Sequence, residues 1–142
     1  MQTLTQEQID NRFRWAKVLK SGDYRQCKST LRRRTVPEMS PEGEVKESHC
    51  CLGVAQDIFD PEGWVRRKGI EGGRPTEYRG GSDVSVKVLT ALGLTRHEIM
   101  RYSDRNDRGA SFPTIADYVT LSARRGVALD REGEDVDGTI SG

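Results

Sequence analysis

A chain of 142 residues with 34% hydrophobic and 32% charged residues has the material for one domain with a modest core and a densely charged surface. Its longest apolar stretch, Val86 to Leu92 interrupted by Lys87 and Thr90, is too short to span a bilayer. The start MQTLTQEQIDNRFRW lacks the basic and then apolar character of a secretory signal, so a cytoplasmic location is expected. With 23 Lys and Arg against 22 Asp and Glu, no general attraction to nucleic acid or anionic lipid follows, and any basic site must be local.

From Thr5 to about Lys20, the residues Ile9, Phe13, Ala16 and Leu19, joined by Val18, recur near helical spacing. Thr5 and Gln8 stand at capping-box spacing, which predicts the helix start, and Ser21-Gly22-Asp23 ends it. The run Tyr24 to Thr35 fits either a short helix or an extended segment, and Val36 to Gly43 is rich in turn residues and reads as a loop.

Helical spacing returns with Cys51, Val54, Ala55 and Ile58, and Asp60-Pro61-Glu62-Gly63 stops it. The glycine-rich segment from Gly63 to Gly81 reads as a loose β-hairpin or a binding loop, with Trp64-Val65 and Glu77-Tyr78 as its strand fragments. Val84, Val88, Ala91 and Leu92 make a further helical stripe, with Gly93 as its C-terminal cap. Thr95 to Glu98 is a second capping box, opening a short helix through Ile99 and Tyr102. Ser111-Phe112-Pro113 opens a last helix with the stripe Phe112, Ile115, Ala116 and Val119, ending at Gly126. The expected architecture is a mainly α, α+β fold: one domain over residues 1–129 with four or five short helices and a small β-hairpin or Gly-rich loop insertion. An acidic, weakly ordered tail is expected over 130–142.

The stretch Ser48-His49-Cys50-Cys51-Leu52-Gly53 carries the most reactive residue types. A thiol at a helix N-terminus gains thiolate character from the backbone N–H groups, so a cysteine hydrolase using Cys50 or Cys51 is one reading. The bases on hand are His49, adjacent in sequence, and His97, in a short helix, with no third orienting residue in view. Core packing is the favoured reading, because Cys51 shares a register with Val54, Ala55 and Ile58. Cys27, His49, Cys50 and Cys51 could converge on zinc, but adjacent thiols lack the usual gap between ligands, so neither a metal nor a cofactor is expected. Three cysteines are an odd number and argue for free thiols.

Asp104 to Gly109 has the opening spacing of a calcium loop, yet Arg108 and Ile115 stand at two ligand positions, so a helix-connecting loop is the expectation. Arg32-Arg33-Arg34, Arg66-Arg67-Lys68 and Arg124-Arg125 would form a phosphate-binding patch for nucleic acid if the fold brought them together. Within the Gly-rich segment, Trp64, Arg66, Arg67, Arg74 and Tyr78 are anchor-type residues for a binding surface.

Three stretches carry a resemblance. Trp15-Ala16-Lys17-Val18-Leu19-Lys20-Ser21-Gly22-Asp23-Tyr24-Arg25-Gln26, His49-Cys50-Cys51-Leu52-Gly53-Val54-Ala55, and Asn106-Asp107-Arg108-Gly109-Ala110-Ser111-Phe112 with Ile115-Ala116 follow in that order. Together they resemble a set of small proteins of tailed bacteriophages and prophages that read W-x-x-A-L-x-S-G-x-Y-x-Q, C-C-L-G-V and N-D-x-G-x-S-F-x-x-I-A. The chain departs from that pattern at Lys17-Val18 and at His49. The resemblance implies a phage genome as the setting and no particular activity. The resulting expectation is a phage accessory protein that binds a host protein, a defence component or a small signalling ligand without catalysis.

Overall fold

The computed structural model describes residues 2–35, 46–64, 66–71, 74–79 and 84–129, and side chains within 2–33, 47–64 and 84–129. The expected loop at Val36 to Gly43 and the expected tail beyond Leu129 lie outside the described residues. In chain order the elements are β1 (Gln2–Thr3), α1 (Gln6–Lys20), β2 (Arg32–Thr35), β3 (Lys46–His49) and α2 (Cys51–Phe59). A 3-10 turn (Pro61–Gly63) leads into β4 (Arg66–Glu71) and β5 (Arg74–Arg79). The chain continues through α3 (Val86–Leu92), α4 (Arg96–Asp107), α5 (Phe112–Arg125) and β6 (Val127–Ala128). The fold is mainly α within an α+β class.

The helix starts follow from local chemistry. Thr5 and Thr95 each close a capping box, with Gln8 and Glu98 respectively, while Ser85 and Ser111 accept from the third residues of α3 and α5. Gly93 and Gly126 end α3 and α5 at φ of 61° and 67°, a left-handed conformation that a Cβ disfavours.

Trp15, Cys51, Leu52, Val54, Ala55, Val88, Leu92, Tyr102, Ile115 and Val119 all lie in one core with no exposure to solvent. The first six residues of α2 are buried on every side, which makes this short helix the axis of the packing. Helix α1 packs against α5 and α3, and α2 packs against α4. The residues just beyond the two ends of this helical body meet in a two-stranded antiparallel pair, Gln2 opposite Ala128 and Thr3 opposite Val127.

The buried face of α1 differs from the apolar stripe of the sequence: Arg12, Trp15, Ala16 and Leu19 are buried, whereas Phe13 is 40% exposed. Arg12 is tolerated because all five of its N–H groups are used. Nη1 and Nη2 clasp Glu98 at 2.8 Å each, Nε donates to the Leu92 carbonyl, and the remaining two donate to Ser122 Oγ and the Gly93 carbonyl. This fully buried pair ties α1 to the α3–α4 turn and to α5.

Helix α4 also runs further than its apolar pattern predicts. The expected connecting loop at Asp104 to Asp107 is the last turn of that helix, held there by the buried side chain of Asn106. The run Tyr24 to Thr35 contains no helix; Gln26 forms a parallel bridge with His49, and Arg32 to Thr35 form β2.

The Gly-rich segment does form a hairpin, β4–β5, but it is not an isolated insertion. It adds to β2 and β3 in a four-stranded antiparallel sheet of order β3-β2-β5-β4.

Candidate functional site

The three stretches of the resemblance meet at the start of α2. The backbone N–H of Cys51 donates to Asn106 Oδ1 at 3.1 Å, and Gln26 Nε2 donates to the same oxygen at 2.9 Å. Asn106 Nδ2 in turn donates to the Cys27 carbonyl at 2.8 Å, and Gln26 reaches the Ala110 carbonyl at 2.7 Å. The backbone N–H of Ser29, whose φ of 67° is left-handed, donates to Asp107 Oδ1 at 2.9 Å. Asn106 and Asp107, the third stretch, therefore hold the segment after Tyr24 against the second stretch. Because Asp104 and Asn106 sit in a helix, the calcium-like spacing makes no ligand loop.

The Cys50-Cys51-Leu52-Gly53 sequence has a packing explanation at each described position. Cys50 caps α2 with its Sγ, which accepts the Gly53 N–H at 3.3 Å, and its own N–H donates to the Leu31 carbonyl at 3.1 Å. Cys51 is fully buried, its carbonyl accepting the Trp15 indole N–H at 3.0 Å. A Cβ at position 53 would lie 1.7 Å from the Leu31 carbonyl oxygen, so only glycine permits this approach of backbone to helix.

Helix N-terminal placement alone favours a thiolate, but burial outweighs it here. Burial pushes the Cys50 thiol up to about 12, only partly opposed by the Gly53 N–H, and Cys51 and Cys27 are raised for the same first cause. Burial also lowers His49 to about 4, more strongly than Asp57 raises it, which keeps the imidazole neutral at physiological pH. Cys27, Cys50 and Cys51 are free thiols. Among the described residues no group of three or more His, Cys, Asp or Glu side chains is arranged to hold a metal ion. Cys50 does contribute to the wall of a cleft of about 220 Å³ lined by Ser29, Thr30, Leu31, Cys50, Ser103 and Asp107.

A second cluster joins the sheet to α2. Asp57 accepts the Tyr24 hydroxyl at 2.5 Å and the Trp64 indole N–H at 3.3 Å, and Arg32 Nη1 lies 3.5 Å from it. The Arg32 guanidinium stacks 4.1 Å from the Trp64 ring centre. His49 is packed edge-on between Tyr24, at 4.8 Å, and Trp64, at 6.0 Å. Burial and then the Asp57 carboxylate push the Tyr24 phenol above its ordinary range. Tyr24, Arg32 and Asp57 were not singled out as a site by the sequence; they come from three separate segments, and no local spacing links them.

Of the predicted binding residues, Trp64 is half-buried in this cluster and precedes β4 rather than belonging to a strand. Arg66, Arg67, Arg74 and Tyr78 are placed by backbone register. Arg67 is opposite Tyr78, and Tyr78 is opposite Arg33, itself opposite Ser48. The adjacent row reads Arg66, Arg79, Arg32 and His49, and Arg74 pairs with Glu71 at the far end of the hairpin.

The sheet thus unites two of the three basic runs. Its 20 residues hold nine basic side chains, at 32, 33, 34, 46, 66, 67, 68, 74 and 79, against Glu47, Glu71 and Glu77. That is a formal surplus of six positive charges in a chain whose total is +1. The third run, Arg124-Arg125, closes the last turn of α5, where cations complement the helix dipole. Among the described residues no helix is long and apolar enough to cross a membrane.

In comparisons with known proteins, the chain matches no family model, no curated protein and no solved structure.

Proposed function

We propose that this protein is a phage-encoded accessory protein that works in the host cytoplasm by binding, without catalysis, and that its working surface is the arginine-rich sheet. The partner is anionic where it meets the sheet: a host protein, a defence component or a small signalling ligand offering carboxylates or phosphates. The observation that carries this reading is the surplus of six positive charges gathered into four short strands of a nearly neutral chain. Bringing separate segments of like charge into one sheet costs free energy; Asp57 offsets part of it at Arg32, and an anionic partner would offset more.

The setting rests on the resemblance of the three ordered stretches to phage proteins. A tagged full-length chain, used for capture from bacterial lysate followed by native mass spectrometry, tests the reading. Capture of a partner or ligand that is released by salt supports it; absence of any bound species, or capture indifferent to salt, rejects it.

A cysteine hydrolase is the competing account, favoured by the cleft beside Cys50. It requires a thiolate that burial opposes. Native-state alkylation of Cys50 is expected to be slow up to pH 9, and fast alkylation near neutral pH would favour the hydrolase.

A further inference from the structure

We infer that Cys27 and Cys50 are a redox-active pair, which a low-molecular-weight disulfide entering the cleft beside Cys50 converts into an intramolecular disulfide. The inference is independent of the reading of the sheet as a binding surface, and it assigns a modification site to two thiols that the proposed function does not use.

Backbone register puts the two residues side by side. Gln26 and His49 form a parallel bridge, in which the His49 N–H donates to the Arg25 carbonyl and the Cys27 N–H to the His49 carbonyl. Cys27 and Cys50 are the next residues along the two paired segments. Paired strands run about 4.8 Å apart, within the roughly 4.4–6.8 Å between Cα atoms that a disulfide spans. Just beyond this position the segments part, with the Asn106 amide inserted between the Cys27 carbonyl and the Cys51 N–H.

The two side chains also share a face. Cys50 is extended, at φ −82° and ψ 174°, and in extended backbone alternate residues point the same way. Ser48 and Cys50 therefore lie on one side of their segment, and His49 turns to the other, toward Tyr24 and Trp64. The Ser48 side chain hydrogen-bonds to the Cys27 thiol, and charge on Cys27 is close enough to raise Cys50. Cys51 is a poor partner for Cys50: it is fully buried with its thiol on the Tyr102 carbonyl at 3.6 Å, and a bond between neighbouring residues is strained.

Access decides the order of reaction. Cys50 walls the cleft together with Ser29, Thr30 and Leu31, whereas Cys27 directs its thiol to the Thr30 carbonyl at 3.6 Å. Cys50 loses its proton to water, and its thiolate attacks one sulfur of the small disulfide, forming a mixed disulfide and releasing one thiolate. Cys27, deprotonated in the same way, attacks the Cys50 sulfur, forms the Cys27–Cys50 bond and expels the second thiolate. The protein gives up two electrons and two protons, and the small disulfide is reduced to two thiols. Burial holds both thiols above their ordinary pKa, so the attack is slow at neutral pH. The new bond closes a loop that contains β2 and β3, where the sheet joins α2.

The test is intact mass and non-reducing peptide mapping of the native full-length chain after incubation with bis(hydroxyethyl) disulfide between about pH 7 and 9. The expected product is lighter than the reduced chain by two hydrogen atoms, carries a link that tandem spectra place between Cys27 and Cys50, and reverts with dithiothreitol. Its rate should rise about tenfold per pH unit, as the thiolate fraction does. Cys27→Ser should stop at the mixed disulfide on Cys50. Cys50→Ser, which keeps a capping oxygen at the start of α2, should leave the remaining thiols unreacted. Circular dichroism melts confirm that each variant is folded, and if either is not, the map of the wild-type chain decides.

Three results overturn the inference: a native chain that forms no link at pH 9 under conditions where the urea-unfolded chain reacts, a link that involves Cys51, or a mixed disulfide on Cys50 that persists while Cys27 is present.

Discussion

The helical body and the four-stranded sheet both contain arginines at positions where charge is costly, and they treat them in opposite ways. In the helical body, Arg12 is sealed from solvent and its five donors are taken by Glu98, Ser122 and two backbone carbonyls. In the sheet, arginines are aligned in rows with one another and outnumber the acids by a wide margin. The first arrangement is complete within the chain and serves folding. The second gathers charge of one sign, with Arg32 met by Asp57 and Trp64 from beyond the sheet. A charge count over the whole chain, near zero, hides this division.

The strongest way to break the comparison is at Arg12. Arg12→Ala leaves the Glu98 carboxylate buried without its partner and should cost about 3–5 kcal/mol in urea denaturation, whereas Arg12→Met combined with Glu98→Leu should recover most of that loss. If the single substitution is nearly neutral, the pair is not the clamp its geometry implies.

Gly53→Ala comes next. The new Cβ would sit 1.7 Å from the Leu31 carbonyl oxygen, so the segment before β2 must move off α2, at about 3 kcal/mol. A thermal melt unchanged from wild type would show that this approach is dispensable.

A third measurement uses acid to probe the cluster where the sheet meets α2. His49 is held at about 4 in the folded protein against an ordinary 6.5, so between those values the unfolded chain takes up a proton that the folded chain refuses. Stability is therefore full above pH 6.5 and falls as pH drops toward 4, by up to about 3 kcal/mol from this group. Asp57, Arg32 and Tyr24 surround it, and their contributions are separated by comparison with His49→Gln, whose stability profile should be flatter across that window. An identical slope in both proteins would remove His49 from the account.

The smallest effect has the opposite sign. Arg79→Gln, in the row with Arg66 and Arg32, relieves repulsion and should leave stability unchanged or raise it by about 0.5 kcal/mol in the absence of a partner. Destabilisation by more than about 1 kcal/mol would mean that this arginine is paired inside the fold like Arg12.

What could be read from the sequence was local. The capping boxes at Thr5 and Thr95, the serine cap at Ser111 and the glycine ends at Gly93 and Gly126 are decided within a few residues and stand where the spacing puts them. The placement of Cys51 on the core side of α2 follows from the same short-range periodicity. The misreadings share one cause, which is partners distant in the chain. Phe13 is more apolar than Arg12, but Glu98, 86 residues away, makes Arg12 the buried one. Asp104 to Asp107 looked like turn residues because the contacts that hold Asn106 in the helix come from Gln26, Cys27 and Cys51.

Strand β2 was the least legible. Arg-Arg-Arg-Thr has no alternation of apolar and polar residues, and it becomes a strand through pairing with β3 and β5. The pairing of β2 with β5 also brings two unremarkable basic runs into one sheet, with alternate residues on its two faces. The hydrolase alternative, which drew on the helix N-terminus to lower a cysteine pKa, meets a related obstacle: the helix N-terminus is a local feature, but the burial that overrides it is not.

The division between a self-completed helical body and a sheet proposed to bind a partner is tested most directly by one side-by-side measurement. Wild-type chain and a chain carrying Arg66→Ala and Arg67→Ala are compared for partner capture from lysate and, in the same preparations, for melting temperature. The account predicts that the substituted chain melts at or above the wild-type temperature and captures nothing. Undiminished capture by the substituted chain would contradict it.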